Sequence, residues 1–150
     1  MSSNRSHVIP TDPFFVPEPA CAQAALALFK QLLPSAADHS AAVHDKPEPI
    51  ISAMAFDTVR CPLCHTEILD WWKSDAWPHA ESQTFKDLSL QTPCCSKPAS
   101  LDSLDYANAL AFARFEISAE THGWIELSDE LLAQMALALR CSVKQAWSSI

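Results

Sequence analysis

The sequence predicts an α+β fold with an antiparallel sheet, two main helices and a small element organised by four cysteines. Two segments carry apolar residues at helical spacing, one after Pro19 and one after Ser128. A third segment, Phe112–Ser118, alternates apolar and polar residues as a half-buried strand does. With 150 residues, 49% of them hydrophobic, the chain is long enough to bury a core. We therefore expect a single α+β domain over residues 20–150.

The N-terminal part is predicted to begin as an arm and to continue as a helix. Residues 1–19 are polar and then rich in proline, so we expect an arm that is partly disordered or docked on the domain. Pro19 suits the first turn of a helix, which we predict to reach about Leu33. Residues 35–49 mix alanine, serine, histidine, aspartate and proline, and this composition predicts a loop with solvated histidines.

Two further strands are predicted to lead into the cysteines. Ile50–Val59 contains a run of apolar residues before the first cysteine pair, and Thr84–Thr92 alternates before the second. Between these segments lie Trp71, Trp72 and Trp77. We expect these tryptophans to cover the cysteine element and fill its core rather than to bind a ligand.

The C-terminal part is predicted to contain a capped helix and a last strand. Ser128 is a suitable N-cap, and Asp129 and Glu130 place negative charge at the positive end of the helix dipole. Val143–Trp147 alternates again, which predicts a strand that joins the sheet.

The motif with the clearest chemistry is a pair of cysteine pairs. Cys61 and Cys64 are separated by two residues, a spacing at which both sulfurs can bind one tetrahedral ion. Cys94 and Cys95 follow, adjacent to each other and flanked by prolines. Four thiolates are typical of structural zinc, and cysteine pairs that each follow a strand are the arrangement of a zinc ribbon. We predict one structural Zn²⁺ bound by all four cysteines in a zinc-ribbon-like element.

A mixed ligand set is the alternative. Neighbouring side chains reach one ion only where the backbone kinks, and if Cys94 or Cys95 does not bind, His65, His79 or water must supply the fourth ligand. A water ligand would open the site to catalysis.

The cysteine turns lack glycine, because Gly123 is the only glycine of the chain. Other residues must then adopt the left-handed conformations that glycine adopts without strain.

Three other interpretations of the cysteines stay open. Cys-x-x-Cys-His is typical of covalent haem attachment, but residues 1–30 lack the signal-peptide pattern that we would expect with it. A helix starting at Cys61 would lower the pKa of that thiol, making Cys61 a redox nucleophile and Cys64 its resolving partner. Ordinary buried cysteines are the third interpretation, and it fits Cys21 and Cys141 best.

The charge and hydropathy of the chain argue against nucleic acid and the membrane as partners. The formal net charge is −8, from 18 acidic and 10 basic residues, and no basic cluster is present to bind a nucleic-acid backbone. No apolar run approaches the roughly 20 residues that span a bilayer. We expect a cytoplasmic protein with reduced thiols, and in a reducing compartment clustered thiols favour metal binding over disulfides.

A series of short motifs follows from the first cysteine pair onward. They are Cys61-Pro62-Leu63-Cys64, Trp71-Trp72, Phe85-Lys86-Asp87-Leu88, Thr92-Pro93-Cys94-Cys95, Ser100-Leu101-Asp102-Ser103-Leu104-Asp105-Tyr106 and Phe112-Ala113-Arg114-Phe115. Their order resembles that of a family of uncharacterised bacterial proteins that contain a zinc ribbon. The resemblance implies that the four cysteines are metal ligands, and it implies no catalytic residue.

The sequence favours a non-enzymatic, zinc-stabilised adaptor that binds another protein. One form of this function is an immunity protein that neutralises a toxin, since such proteins are commonly small and acidic and lack catalytic motifs. The alternatives are a thiol-disulfide oxidoreductase that uses Cys61 and Cys64, and an open-site zinc hydrolase with Glu67 or Glu81 as general base. The oligomeric state is not predicted.

Overall fold

The computed structural model describes residues 3–52 and 57–149. The strands are β1 (Ser3–Pro10), β2 (Ala37–Ile51), β3 (Ser89–Gln91), β4 (Pro98–Ser100), β5 (Leu110–His122) and β6 (Val143–Ser149). The α-helices are α1 (Pro19–Leu32), α2 (Leu69–Trp71), α3 (Trp77–Ser82) and α4 (Asp129–Leu139). A π-helical turn, Trp72–Ala76, joins α2 to α3, and a 3₁₀ turn, Leu101–Ser103, follows β4.

These elements confirm the predicted α+β fold. Four strands form an antiparallel sheet in the order β2-β5-β1-β6, and β3 pairs with β4 in a separate antiparallel hairpin. Along the sequence, α1 precedes β2 and α4 follows β5, and these two strands are the longest in the described part of the chain. Among the helices that the structure describes, none is both long enough and apolar enough to cross a membrane.

The two main helices pack together on one face of the four-stranded sheet. Ile117 of β5 lies opposite Val8 of β1, and Phe29 of α1 and Met135 of α4 belong to the same apolar cluster. All four side chains are fully buried. Burying a side chain of this size contributes about 1.5–3 kcal/mol, so this layer is a main source of stability.

Local signals determine both ends of α4. The Leu131 N–H donates to Ser128 Oγ at 3.1 Å, which confirms the predicted N-cap. Asp129 and Glu130 lie in the first turn, where the helix dipole favours negative charge. The helix ends at Arg140, which adopts a left-handed φ of 61°.

A second core lies beneath the cysteines and is built largely by the segment between β2 and β5. At its centre, Trp72 Nε1–H donates to the Tyr106 hydroxyl at 3.1 Å, and that hydroxyl donates to the Leu101 carbonyl at 2.6 Å. The Trp77 ring centroid lies 5.1 Å from that of Trp72. Phe112 of β5 belongs to this core too, so it connects the four-stranded sheet to the cysteine-bearing segment.

Within the arm predicted for residues 1–19, Ser3–Pro10 form strand β1. β1 lies in the interior of the sheet, between β5 and β6. Two of its polar side chains pair with neighbouring strands: Arg5 Nη2 donates to Ser118 Oγ at 2.9 Å, and His7 Nε2 lies 2.7 Å from Ser148 Oγ. Composition alone does not reveal such a strand, because side chains that look solvated are paired and partly buried.

The predicted loop over residues 35–49 is mostly strand β2. This strand is at the edge of the sheet and has two breaks in register, so it tolerates prolines and polar residues. Its histidines are not simply solvated. His39 Nε2 lies 2.9 Å from the Leu33 carbonyl, and His44 Nε2 lies 3.3 Å from Glu116 Oε2.

The strands predicted before the cysteines are shorter than expected. Of Ile50–Val59, residues 53–56 lie outside the described part of the chain, and the residues between them and Val59 form no strand. Of Thr84–Thr92, only β3 is a strand. Thr84 and Phe85 have φ values of 53° and 57°, and this left-handed conformation is incompatible with an extended strand.

Glu116 on β5 joins histidines from the strands on either side. Its Oε1 lies 3.2 Å from His7 Nδ1 on β1, and its Oε2 lies 3.3 Å from His44 Nε2 on β2. Burial by itself would raise the pKa of Glu116, but the two histidines outweigh it and hold that pKa below its usual value of 4.5. The ionised carboxylate thus stabilises three neighbouring strands.

Replacing this carboxylate tests its contribution. We expect Glu116→Gln to lower the free energy of unfolding at pH 6 and to have a smaller effect at pH 3. The native pKa is lowered, so the carboxylate contributes stability above pH 4.5, and this contribution is lost as the pH falls through the native pKa. Urea unfolding at both pH values measures the change. Glu120→Gln on the same strand is the control, and an equal loss at both pH values in Glu116→Gln would contradict the assignment.

Candidate metal centre

The first cysteine pair lies in a tight turn that precedes α2. The Cys61 N–H donates to the Thr66 carbonyl at 3.0 Å, and the His65 N–H donates to the Cys61 carbonyl at 2.9 Å. Inside the turn, the Leu63 N–H donates to Cys61 Sγ at 3.4 Å. The closed turn brings the Cys61 and Cys64 sulfurs within 4.8 Å of each other.

The second cysteine pair lies in a turn with the same backbone hydrogen bonds. The Thr92 N–H donates to the Lys97 carbonyl at 3.0 Å, and the Ser96 N–H donates to the Thr92 carbonyl at 2.9 Å. Thr92 therefore takes the first position of the turn, where the other turn has a cysteine, and Cys95 takes the fourth. Cys94 takes the third position. A shift of one cysteine within a regular turn thus accounts for the adjacent pair.

The residue after the fourth position is left-handed in both turns. His65 has a φ of 64° and Ser96 a φ of 56°. Glycine would adopt this conformation without strain, whereas a residue with a Cβ atom pays about 1 kcal/mol. The scarcity of glycine predicts this free-energy penalty, and in the structure it falls on His65 and Ser96.

The four sulfurs converge on one point. Cys61 Sγ lies 3.7 Å from Cys95 Sγ, and Cys64 Sγ lies 3.4 Å from Cys94 Sγ. The Cys94 and Cys95 sulfurs are 4.0 Å apart, and all four lie within 4.8 Å of one another. A tetrahedral ion with bonds of about 2.3 Å separates its sulfur ligands by about 3.8 Å. The four cysteines therefore lie within metal-binding distance, consistent with a metal site.

The cluster is anchored on its inner side and open on its outer side. Cys61 is fully buried in the second core, and Cys95 is half-buried against it. Cys64 and Cys94 are exposed. Two sulfurs are thus held by packing, while the other two close the cluster from the surface.

The backbone of the first turn favours thiolates. Hydrogen bonds from the Cys64 N–H, and then from the Leu63 N–H, lower the pKa of Cys61 to about 6. The Thr66 hydroxyl lowers the pKa of Cys64. Desolvation and the neighbouring thiols raise the pKa of Cys94 to about 12. The Cys94 thiol therefore stays protonated at neutral pH, and binding of a cation there would displace its proton.

The histidines of the mixed ligand set are not in the cluster. Among the described residues, the four cysteines form the group of His, Cys, Asp and Glu side chains that could hold a metal. His65 is exposed in the first turn, and His79 lies on α3 near Asp87. The all-cysteine set is therefore the one whose geometry suits a metal ion.

Cys61 and Glu67 are the residues on which the oxidoreductase and hydrolase alternatives depend, and both lie at the first turn. No helix begins at Cys61, because the turn continues and α2 begins only at Leu69. The hydroxyl of Thr58 and the N–H groups of Val59 and Leu69 donate to Glu67, which lowers its pKa. Glu67 thus bridges the chain before and after the first turn. These three hydrogen bonds give Glu67 a role in holding the turn.

Cys21 and Cys141 lie apart from the cluster, as expected of ordinary packed cysteines. Both are half-buried, and Cys141 packs against the core beneath the main helices. Burial raises the pKa of Cys141, so this thiol stays protonated.

Sequence reasoning did not identify Thr92 as part of the second turn. Its hydroxyl lies 3.2 Å from Cys95 Sγ and accepts from the Lys97 N–H at 3.3 Å. Aligning Cys-Pro-Leu-Cys-His-Thr with Thr-Pro-Cys-Cys-Ser-Lys would have revealed the shared turn, because proline and cysteine match at the second and fourth positions.

Comparison with protein-family models, curated proteins and solved structures finds no match to this chain.

Relieving the left-handed strain should stabilise the second turn. We expect Ser96→Gly to raise the free energy of unfolding by about 0.5–1 kcal/mol, because glycine adopts the φ of 56° without a Cβ clash. Urea unfolding of the purified protein measures the difference. Ser142→Gly, at a position outside the left-handed set, is the matched control and should be neutral or destabilising. A destabilised Ser96→Gly variant would contradict this account of the turn.

Proposed function

We propose that this chain is a non-enzymatic, zinc-stabilised protein that binds another protein as an adaptor. The convergence of four sulfurs within 4.8 Å is the observation that supports this most directly. An ion bound by four thiolates has no position left for a substrate or an activated water, so it serves structure. The chemistry of the site then points away from catalysis and towards a stabilised surface.

Zinc is the ion that we assign to the cluster. Four-thiolate tetrahedral sites bind zinc or iron, and zinc is the one without redox chemistry. The two turns, each with two cysteines, support a zinc-ribbon-like form of the site. The proposal places the protein in the cytoplasm, because reducing conditions keep the thiols available for metal.

The charge of the chain supports a basic partner. A net charge of −8 attracts positively charged protein surfaces and speeds their association. The same charge disfavours nucleic acid as a partner. A toxin neutralised by an acidic immunity protein is one specific form of this proposal.

A thiol-disulfide oxidoreductase is the second candidate, and the chemistry of Cys61 favours it. A thiol with a pKa of about 6 is largely ionised at neutral pH, and ionised thiols attack disulfides. The second cysteine pair speaks against this candidate, since a redox dithiol needs only Cys61 and Cys64. Insulin reduction separates the two functions. The adaptor predicts no turnover above background, with or without Cys61→Ser.

Capture of partners tests the adaptor directly. We expect zinc-loaded protein immobilised as bait to retain a specific partner, and Cys64→Ser to lose both the metal and the partner. Cys64 is exposed, so its replacement acts on the metal site rather than on core packing. Cys21→Ser, outside the cluster, is the matched control and should keep both. Quantitative mass spectrometry of the captured proteins gives the readout.

The capture and insulin-reduction experiments distinguish the metal-dependent adaptor from the alternatives. A partner retained equally by Cys64→Ser and by the wild type would overturn the role of the metal. Insulin turnover that depends on Cys61 would overturn the non-enzymatic assignment. For the immunity form, expression of the captured partner alone should arrest growth, and co-expression of this chain should restore it.

A further inference from the structure

A groove opens beside the second core, between the helical run from α2 to α3 and strand β3. It encloses about 290 Å³. Ala76, Ala80 and Leu88 give it an apolar floor, and all three are buried. The half-buried Trp71 and two aspartates, Asp75 and Asp87, also line the groove.

An unpaired strand edge borders this groove. β3 pairs with β4 alone among the described strands, and Ser89, Leu90 and Gln91 all line the groove. The Leu101 N–H donates to the Leu88 carbonyl at 2.7 Å. Hydrogen bonds to one neighbour alternate along an antiparallel strand, so the outward-facing groups belong to Ser89 and Gln91. The Ser89 N–H is bonded to Asp87, so the Ser89 carbonyl and the N–H and carbonyl of Gln91 are the groups that face an incoming chain. An extended chain can pair with such an edge.

The two aspartates give the groove negative charge. Asp87 Oδ1 accepts from the Ser89 N–H at 2.9 Å and from the Ser89 hydroxyl at 2.6 Å. These hydrogen bonds lower the pKa of Asp87 and keep it ionised. Asp75 accepts from the Ser74 hydroxyl at 2.7 Å and is exposed. His79 is the third titratable side chain in the lining.

We propose that this groove binds an extended segment of a partner protein, which pairs with β3 and places a lysine or arginine side chain against Trp71, Asp75 and Asp87. The proposal rests on the proposed adaptor function and names its binding surface. A strand edge supplies main-chain hydrogen bonds, and a pocket for alternate side chains supplies specificity.

The lining selects a basic side chain with a long aliphatic stem. The stem covers the apolar floor while the charged head reaches the carboxylates. The face of a tryptophan ring attracts a cation, and carboxylates form charge-assisted hydrogen bonds with it. An acidic segment would meet two like charges, and a neutral one would leave both carboxylates without a counter-charge.

Short synthetic peptides test the charge selection. The probes alternate valine and threonine around a central lysine, arginine, glutamine or glutamate, and they are titrated into the isotopically labelled, zinc-loaded protein. We expect the lysine and arginine peptides to shift the amide signals of Ser89 and Gln91 and to bind about tenfold tighter than the glutamine peptide. Asp75→Asn should weaken the basic peptides about threefold or more and leave the glutamine peptide unchanged. Glu126→Gln, an exposed change between β5 and α4, is the matched control.

Backbone methylation tests the strand pairing. Peptides methylated on alternate backbone nitrogens lose every second hydrogen-bond donor. We expect methylation in one register to abolish binding and methylation in the other register to preserve it, because only one edge of the peptide pairs with β3. Equal binding of the two methylated peptides would overturn pairing with β3.

The failure of this proposal differs from the failure of the adaptor function. If zinc-loaded bait retains a specific partner while the peptides show no preference for a basic centre, the groove assignment is wrong and the adaptor function stands. Selective peptide binding without a captured partner would support the groove and contradict the adaptor. Concentration-dependent dimerisation with signal shifts confined to the groove would show a second copy of the chain as its occupant and overturn the proposal.

Discussion

Convergence of four sulfurs on one point constrains the whole segment between β2 and β5. The regular elements of this segment are short: β3, β4 and α2 have three residues each, and α3 has six. Elements of this length are unstable in isolation. A metal bound by both turns would join their ends, and the free energy of binding would then contribute to the free energy of folding. The aromatic core beneath the cluster supplies the remaining stabilisation, and Phe112 connects it to the four-stranded sheet.

The second turn shows how an irregular cysteine spacing serves a regular geometry. Its backbone matches the first turn, and a threonine stands where the first turn has a cysteine. In the second turn Cys94 supplies this thiol, from the position immediately before Cys95. This turn also joins β3 to β4, so the cluster determines where the hairpin lies. The groove between β3 and the helical run is therefore coupled to the cysteine cluster, because a change that loosens the second turn should also loosen the β3 wall of the groove.

Much of this arrangement could be predicted from the sequence, and the exceptions have a common cause. β5, α1 and α4 follow from periodic apolar residues and a serine cap, because one face of each element is buried against the core. β1 and β2 could not be predicted in this way. Their Arg5, His7 and His44 pair with Ser118, Ser148 and Glu116 on neighbouring strands. Composition records polarity but not pairing, so such strands resemble an arm and a loop. The cysteines could be grouped from spacing alone, whereas the role of Thr92 required the backbone of its turn.

If four thiolates enclose one zinc ion, as we propose, the metal content of the purified protein is the first quantity to measure. The protein would be purified without an affinity metal column, and its metal measured by mass spectrometry, with thiol titration before and after chelation. We expect about one zinc per chain, four thiols that react only after chelation, and loss of folded structure in the segment between β2 and β5 when the metal is removed. A metal-free protein with two reactive thiols that cycle to a disulfide would contradict this proposal, and about one iron per chain would contradict the assignment of zinc.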